Sequence, residues 1–313
     1  MRVAVIDIGS NSIRLLVAHY NSEKDVENVV PFYRELITTR LGRGVAINNI
    51  IDELSCKNTV LAVKAFISRA HDFGCDIILS IATSAVREAL NGPDFLQLLK
   101  KKTGLDVNII SGQEEAELSF LGARAGLRIA GLTLVMDIGG NSTELSLGDD
   151  SQVIRSISVP VGAVRLTQRY FKSGIPTDAE FEKAKNTIRK EFYDFGLFFA
   201  KLSSSRRVEI IGVGGTLTTL AAIKLGIWDY DPEIIHGLYL SSSDIEDIYN
   251  KLLSLSLEEL KLIPGLPSKR ADIIKAGVLI MYEIMRVLDI PGITVSEFDI
   301  MEGFILKKLL KTQ

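Results

Sequence analysis

Apolar runs at 3–8, 13–20 and 29–36, separated by polar or glycine punctuation, predict three consecutive antiparallel strands, the first two joined around Gly-Ser-Asn-Ser at 9–12. Helical periodicity follows near 52–73, then a buried strand, DIILSIAT, at 76–83, and helices over about 84–101 and 112–127. The pattern then begins again. LTLVMDI leads into a Gly-Gly-Asn-Ser turn at 139–142, followed by strands TELSLG and QVIRSISV, so that VAVIDIGSNSIRLL (3–16) and VMDIGGNSTELSLG (135–148) share both wording and strand arrangement. Asp7 and Asp137 stand 137 − 7 = 130 positions apart, about one domain. A duplicated, strand-rich α/β unit is the reading, with a boundary near 120–130. A long helix over about 178–202 opens with the Thr177-x-x-Glu180 capping box and leads to a strand ending in Gly-Val-Gly-Gly-Thr.

Composition narrows the chemistry. The chain has 313 residues, 47% hydrophobic and 24% charged, enough to bury two cores. A net charge of −3 provides no global field for a nucleic acid or other polyanion, so an anion site must be built locally. Two cysteines, Cys56 and Cys75, are too few for a disulfide framework or a thiolate zinc site. Three histidines argue against a histidine-rich metal cluster. No apolar run reaches the roughly 18 residues of a membrane span, and the first residues enter a strand without a leader pattern, so a cytoplasmic protein is expected.

The repeated phrase has a chemistry of its own. A carboxylate at the end of a buried strand, followed at once by glycine and small hydroxyl residues, puts a hard-cation ligand beside a bend rich in backbone N–H groups, an arrangement suited to phosphate and magnesium together. Gly9, Ser10, Asn11 and Ser12 form the first bend, and Gly139, Gly140, Asn141, Ser142 and Thr143 the second. Asn141 is a residue that tolerates a left-handed backbone there. Glu144, seven residues after Asp137, can return across the hairpin to the same cation. A third glycine cluster, Gly214, Gly215 and Thr216, opens a helix whose N–H groups suit an anion or simply allow close packing; it matches neither a Walker A loop nor a dinucleotide fingerprint. In IISGQEEAELSF (109–120), Ser111 and Glu114 make a capping box, while Glu115 is not needed for it; small Ser119 and Gly122 leave room beside it, and an exposed helical glutamate is the alternative reading. Arg87 is either an anion contact or a helix-surface arginine, Lys269 and Arg270 are further candidates, and His236 reads as a packing or loop residue.

Eight blocks in order carry a resemblance: VIDIGSNSIRLLV, IATSAVREALN, IISGQEEAELSF, VMDIGGNSTELSLG, SVPVGAVRLTQRYF, IGVGGTLTTLAA, IIHGLYL and KRADIIKAG. The chain resembles the exopolyphosphatase/guanosine pentaphosphate phosphohydrolase family. That resemblance implies an α/β fold of two duplicated ribonuclease-H-like domains of the actin, Hsp70 and sugar-kinase type flanking a cleft: lobe I over 1–124, lobe II over 125–301, and a C-terminal helix, 302–313, returning to lobe I. It implies Glu115 as catalytic base, magnesium or manganese on Asp137 and Glu144, and the two bends as phosphate loops; the residues themselves add Asp7 as a further ligand through water, and Arg87 and Gly214, Gly215 and Thr216 as further phosphate contacts. Polyphosphate or guanosine pentaphosphate is the implied substrate, with no nucleic acid or membrane partner and with a homodimer as the implied assembly. Three departures stand out: Asn141 replaces a usual third glycine, Glu117 a frequent arginine, and Met301-Glu302-Gly303 a frequent Arg-Glu-Gly. The helical histidine-aspartate domain of longer members has no counterpart here, which favours short chains or guanosine pentaphosphate. A kinase or ATPase of the same superfamily and a non-catalytic polyphosphate or alarmone sensor are the alternatives.

Overall fold

Alternation in Arg2–Ile8 decides the architecture of the first half. Ala4, Ile6 and Ile8 enter one apolar cluster and Val3 and Val5 another, so this strand, β1, is central and covered on both faces. The computed structural model describes residues 1–21, 28–171 and 177–310. β1 pairs antiparallel with β2 (Ser12–Asn21), which pairs antiparallel with β3 (Asn28–Thr38). Helices α1 (Gly42–Asn48) and α2 (Glu53–Asp72) follow, with Asp52 capping α2 by accepting the Ser55 N–H. Strand β4 (Ile77–Ala82) lies parallel to β1, and short β5 (Asn108–Ile109) parallel to β4, giving the order β3-β2-β1-β4-β5.

The helix expected over 84–101 is two helices, α3 (Ser84–Glu88) and α4 (Gly92–Thr103). Ala89 is extended, and Pro93 starts the new helix, where its missing N–H costs nothing. Helix α5 (Gly112–Leu127) then carries the chain from one unit to the other: the first comprises Met1–Gly122 with the C-terminal segment from Ile300, the second Ala123–Asp299.

The second unit repeats the first. β6 (Thr133–Ile138), β7 (Thr143–Gly148) and β8 (Val153–Val159) form an antiparallel meander, followed by α6 (Ala163–Tyr170) and α7 (Asp178–Ser203), whose Thr177/Glu180 capping box is formed. β9 (Glu209–Val213) lies parallel to β6 and runs into α8 (Gly214–Leu225). After α9 (Pro232–Ile235), β10 (Tyr239–Ser241), α10 (Ser242–Ser254), α11 (Leu257–Leu260) and α12 (Ile274–Leu288), β11 (Gly292–Val295) joins the sheet parallel to β9. The order β8-β7-β6-β9-β11 repeats that of the first sheet, with β10 added at the edge. The fold is therefore mixed α/β with two sheets of the ribonuclease-H-like arrangement. α12 is buried on nearly every side, and its Glu283 is fully buried against Arg189 at 2.6 and 3.1 Å.

The final helix, α13 (Ile300–Leu310), belongs to the first unit, where Ile300, Met301, Phe304 and Ile305 join the cluster containing Val3 and Val5. Glu302, fully buried, is ion-paired with Arg34 of β3, and Lys307 reaches Glu114 at 3.0 Å. Of the helix expected over 302–313, positions 311–313 lie outside the described residues. No helix among the described residues is long and apolar enough to cross a membrane.

Candidate active site

The two bends are the same structure twice. In each, the first glycine N–H donates to the carbonyl of the serine three residues on, Gly9 to Ser12 at 3.2 Å and Gly139 to Ser142 at 3.0 Å. In each, the bend's carbonyls are held from behind by donors of the chain that follows the third strand. Ser10 accepts from Gly42 and Asn11 from Thr39 and Arg40; Gly139 accepts from Ala163, Gly140 from Val164 and Arg165, and Asn141 from Arg165 Nε at 2.8 Å. The carbonyl just before each bend is engaged as well, Ile8 by the Thr83 N–H and Ile138 by the Thr216 hydroxyl. With carbonyls committed to the rear, the opposite face is the one from which backbone N–H groups reach a ligand. Gly162 is the contact that makes this backing close, since a Cβ there would lie 2.4 Å from the Gly140 carbonyl oxygen.

Charge separates the two bends. The antiparallel register sets Asp7 opposite Arg14 and Asp137 opposite Glu144. In the first unit Asp7 Oδ2 accepts from Arg14 Nε at 2.9 Å and Nη2 at 2.7 Å. This changes the expectation for Asp7: a guanidinium stands where a metal pair needs a second carboxylate. In the second unit the cross-strand partners are both carboxylates, with Glu144 almost fully buried and accepting a hydrogen bond from Ser158 Oγ at 2.7 Å. Adjacent like charges repel unless a cation joins them, and two carboxylates beside a hydroxyl form a hard-oxygen set that fits magnesium or manganese. No group of three or more acidic, histidine or cysteine side chains suited to a metal occurs among the described residues, so remaining ligands would come from water or substrate.

Gly214 completes this side of the second unit. Its φ of +82° favours glycine, and a Cβ would fall 2.4 Å from Asp137 Oδ1. The Arg270 guanidinium lies directly against Gly215, leaving no space for a side chain there. Several expected side-chain contacts do not form an open cradle. Thr143 is fully buried and donates its hydroxyl to the Val161 carbonyl at 2.5 Å, and the Thr216 hydroxyl is spent on Ile138 at 3.1 Å. The Asn141 side chain is fully buried, with neither amide atom hydrogen-bonded among the described residues. Nor is Asn141 left-handed: its φ is not positive, so the special tolerance of asparagine is not what this position uses. The backbone of half-buried Gly139, Gly140, Gly214 and Gly215 is what the second unit presents.

In the first unit, Glu115 is not the exposed helical glutamate that spacing allowed. It is 8% exposed, and Arg87 Nη1 donates to its Oε2 at 2.9 Å and to the Ile110 carbonyl at 2.8 Å. Arg87 is thereby neither a surface arginine nor a side chain aimed only at solvent; it orients a carboxylate. Ser84 at the start of α3 meets Ser10 through their hydroxyls at 3.0 Å, tying the bend to the helix that carries Arg87. Ser111 caps α5, its Oγ accepting the Glu114 N–H at 3.1 Å, while the Glu114 carboxylate pairs with Lys307 rather than closing the capping box. Glu117, two positions beyond Glu115 and hence on the other side of α5, accepts from Gln113 at 3.2 Å, so this departure from the family pattern adds its charge away from Glu115. His236 is a packing residue whose Nε2 lies 3.2 Å from the Gly126 carbonyl oxygen and whose Nδ1 accepts the Glu297 N–H at 3.1 Å. Sequence reasoning missed Arg14, Ser158, Ser84 and Arg165. Arg14 and Ser158 had a usable signal, because strand register alone sets them opposite Asp7 and Glu144.

Comparison with known proteins identifies the family. The family described as "Ppx/GppA phosphatase family" matches residues 16–312. "Exopolyphosphatase 2" of Mycobacterium tuberculosis is 32% identical over 315 residues, covering 97% of this chain and 98% of the relative. "Exopolyphosphatase 1" of the same organism is 27% identical, covering 99% and 88%. Among solved structures, the Aquifex aeolicus member of the Ppx/GppA family superposes with a TM-score of 0.80 at 30% identity, covering 100% of this chain and 99% of that one.

Proposed function

The chain belongs to the Ppx/GppA phosphatase family, hydrolases of phosphoanhydrides, and from that premise we propose that it releases terminal phosphate from inorganic polyphosphate by attack of water on the end of the chain. The observation that carries the reading is a buried carboxylate, Glu115, held in one orientation by Arg87. Glu115 orients and deprotonates the attacking water, and Arg87 keeps the carboxylate aimed. The backbone of the two bends and of Gly214–Gly215 binds phosphoryl oxygens, an arrangement suited to the loose transition state of phosphoryl transfer, in which positioning and charge neutralisation supply most of the rate. Asp137 and Glu144 hold magnesium or manganese, which supplies positive charge to the phosphoryl group. Guanosine pentaphosphate is the second substrate included in the proposal, as are a homodimer and a cytoplasmic setting.

The test is phosphate release from polyphosphates of several lengths, guanosine pentaphosphate and ATP, with the wild-type chain and Glu115→Gln side by side. Polyphosphate turnover that falls about 10²–10⁴-fold in the variant supports the reading. Full activity of Glu115→Gln removes the base, and activity confined to ATP with transfer to an acceptor replaces the hydrolase by a kinase.

A further inference from the structure

The two bends differ in what backs their asparagine carbonyl. In the first unit the Asn11 carbonyl accepts two neutral main-chain donors, the Thr39 N–H at 3.1 Å and the Arg40 N–H at 2.9 Å. In the second unit the matching Asn141 carbonyl accepts from a guanidinium, Arg165 Nε at 2.8 Å. Arg165 reaches it because α6 starts directly behind the bend. Gly162, at the N-cap, is extended and offers no side chain to the helix, so the opening N–H groups of α6 go to the bend instead. Ala163 donates to the Gly139 carbonyl at 3.0 Å, and Val164 and Arg165 donate to the Gly140 carbonyl at 2.7 and 3.1 Å. The positive end of α6 and the guanidinium carried by its first turn thus meet three successive carbonyls of the bend.

Each of these carbonyls shares a peptide group with the N–H of the next residue. The carbonyl bound by Arg165 belongs to the Asn141–Ser142 peptide, and the N–H groups of Asn141 and Ser142 have no acceptor among the described residues. Both residues are buried, at 0% and 3% exposure, so these donors are satisfied only when a ligand supplies the acceptor. Positive charge at the oxygen end of a peptide draws electrons from its nitrogen end and makes the N–H a stronger donor. We propose that Arg165 is a positioning residue acting through the main chain: it holds the Asn141 carbonyl to the rear and polarises the Asn141–Ser142 peptide, so that the Ser142 N–H binds a phosphoryl oxygen more tightly than a neutral backing allows. The proposal rests on the reading of the second bend as a phosphate site, and every residue in it belongs to the second unit. Strengthening along a hydrogen-bonded chain is about 10–30% per bond, and the field of the guanidinium adds to it in a buried setting; roughly fivefold in phosphate affinity is the expected sum. A phosphoryl oxygen is anionic before transfer as well as during it, so the effect falls on KM and largely spares kcat.

The test compares Arg165→Gln, which keeps a neutral donor for the carbonyl, Arg165→Lys, which keeps the charge, and Arg165→Met, which keeps neither. Thermal midpoints and polyphosphate kcat and KM are measured, and the Ser142 amide is followed by proton–nitrogen correlation spectroscopy during titration with inorganic phosphate. The expected result is a KM and a phosphate dissociation constant about fivefold higher in Arg165→Gln and Arg165→Met, with kcat within about twofold and Arg165→Lys within about twofold of the wild type throughout. Before phosphate is added, the Ser142 amide proton moves upfield in Arg165→Gln and Arg165→Met and stays in place in Arg165→Lys. A brace that only fixes the shape of the bend gives another pattern, in which the neutral hydrogen bond of Arg165→Gln suffices. Wild-type phosphate affinity in Arg165→Gln therefore overturns the proposal, and so does a loss in all three variants that follows the thermal midpoint. The proposal and the reading beneath it fail separately. A wild-type Ser142 amide that ignores phosphate removes the bend from the phosphate site and the proposal with it, whereas an amide that responds to phosphate equally in the wild type and all three variants removes Arg165 alone.

Discussion

The bend at 9–12 and the bend at 139–142 share a backbone and differ in charge. Each closes with the same glycine-to-serine hydrogen bond, and each is supported by N–H donors from the chain after its third strand. Opposite the strand-terminal aspartate, however, stands Arg14 in one unit and Glu144 in the other. Duplication kept the part of the site made of main chain and changed the part made of one side chain. The physical lesson is that a nest of N–H groups needs only backbone geometry and tolerates sequence change, whereas whether a guanidinium or a second carboxylate faces the strand-terminal aspartate rests on a single cross-strand position.

The strongest way to break this comparison is to make the second hairpin like the first. Glu144→Arg sets a guanidinium opposite Asp137, as Arg14 is opposite Asp7, and should produce a folded chain with at least a roughly 10³-fold loss of polyphosphate hydrolysis, because the proposed cation-binding pair is gone. Circular dichroism checks the fold and phosphate release checks the rate; hydrolysis still responsive to added magnesium would show that Glu144 does not hold the metal. Next in size is Arg14→Gln, which strips the ion pair from a buried carboxylate. A cost of about 3 kcal/mol is expected, a fall of roughly 10 °C in the first thermal transition. A midpoint within about 2 °C of the wild type would mean that Asp7 finds equivalent support without Arg14. The smallest effect belongs to Asn141→Gly, which deletes a buried amide without partners among the described residues at the price of a more flexible backbone. Stability should change by less than about 1 kcal/mol and kcat by less than about twofold. A tenfold rise in KM would return the Asn141 side chain to the phosphate site.

Much of the fold was legible because its signals are local. The apolar runs give β1, β2 and β3, the repeat of VIDIGSNS in VMDIGGNS gives the second meander, and Thr177 with Glu180 gives the start of α7. The break between α3 and α4 was missed although Pro93 marks it, since helical periodicity on both sides masked the interruption. In the site, side-chain type was a poor guide to direction. Thr143 and Thr216 have the right hydroxyls, yet both point at carbonyls, because a buried hydroxyl must find an acceptor wherever the packing offers one.

By itself, then, the sequence determined the two hairpins, the identity of the acidic residues and the glycines that let the main chain bend, because each follows from neighbours a few positions away. Tertiary structure decided how Glu115 and His236 are held. Arg87 reaches Glu115 across 28 positions, and His236 joins Gly126 to Glu297 across 110 and 61. Such pairings depend on where α3 meets α5 within the first unit and where the segments after α9 and β11 meet the end of α5 within the second, which hydrophobic packing sets and no periodicity along the chain encodes.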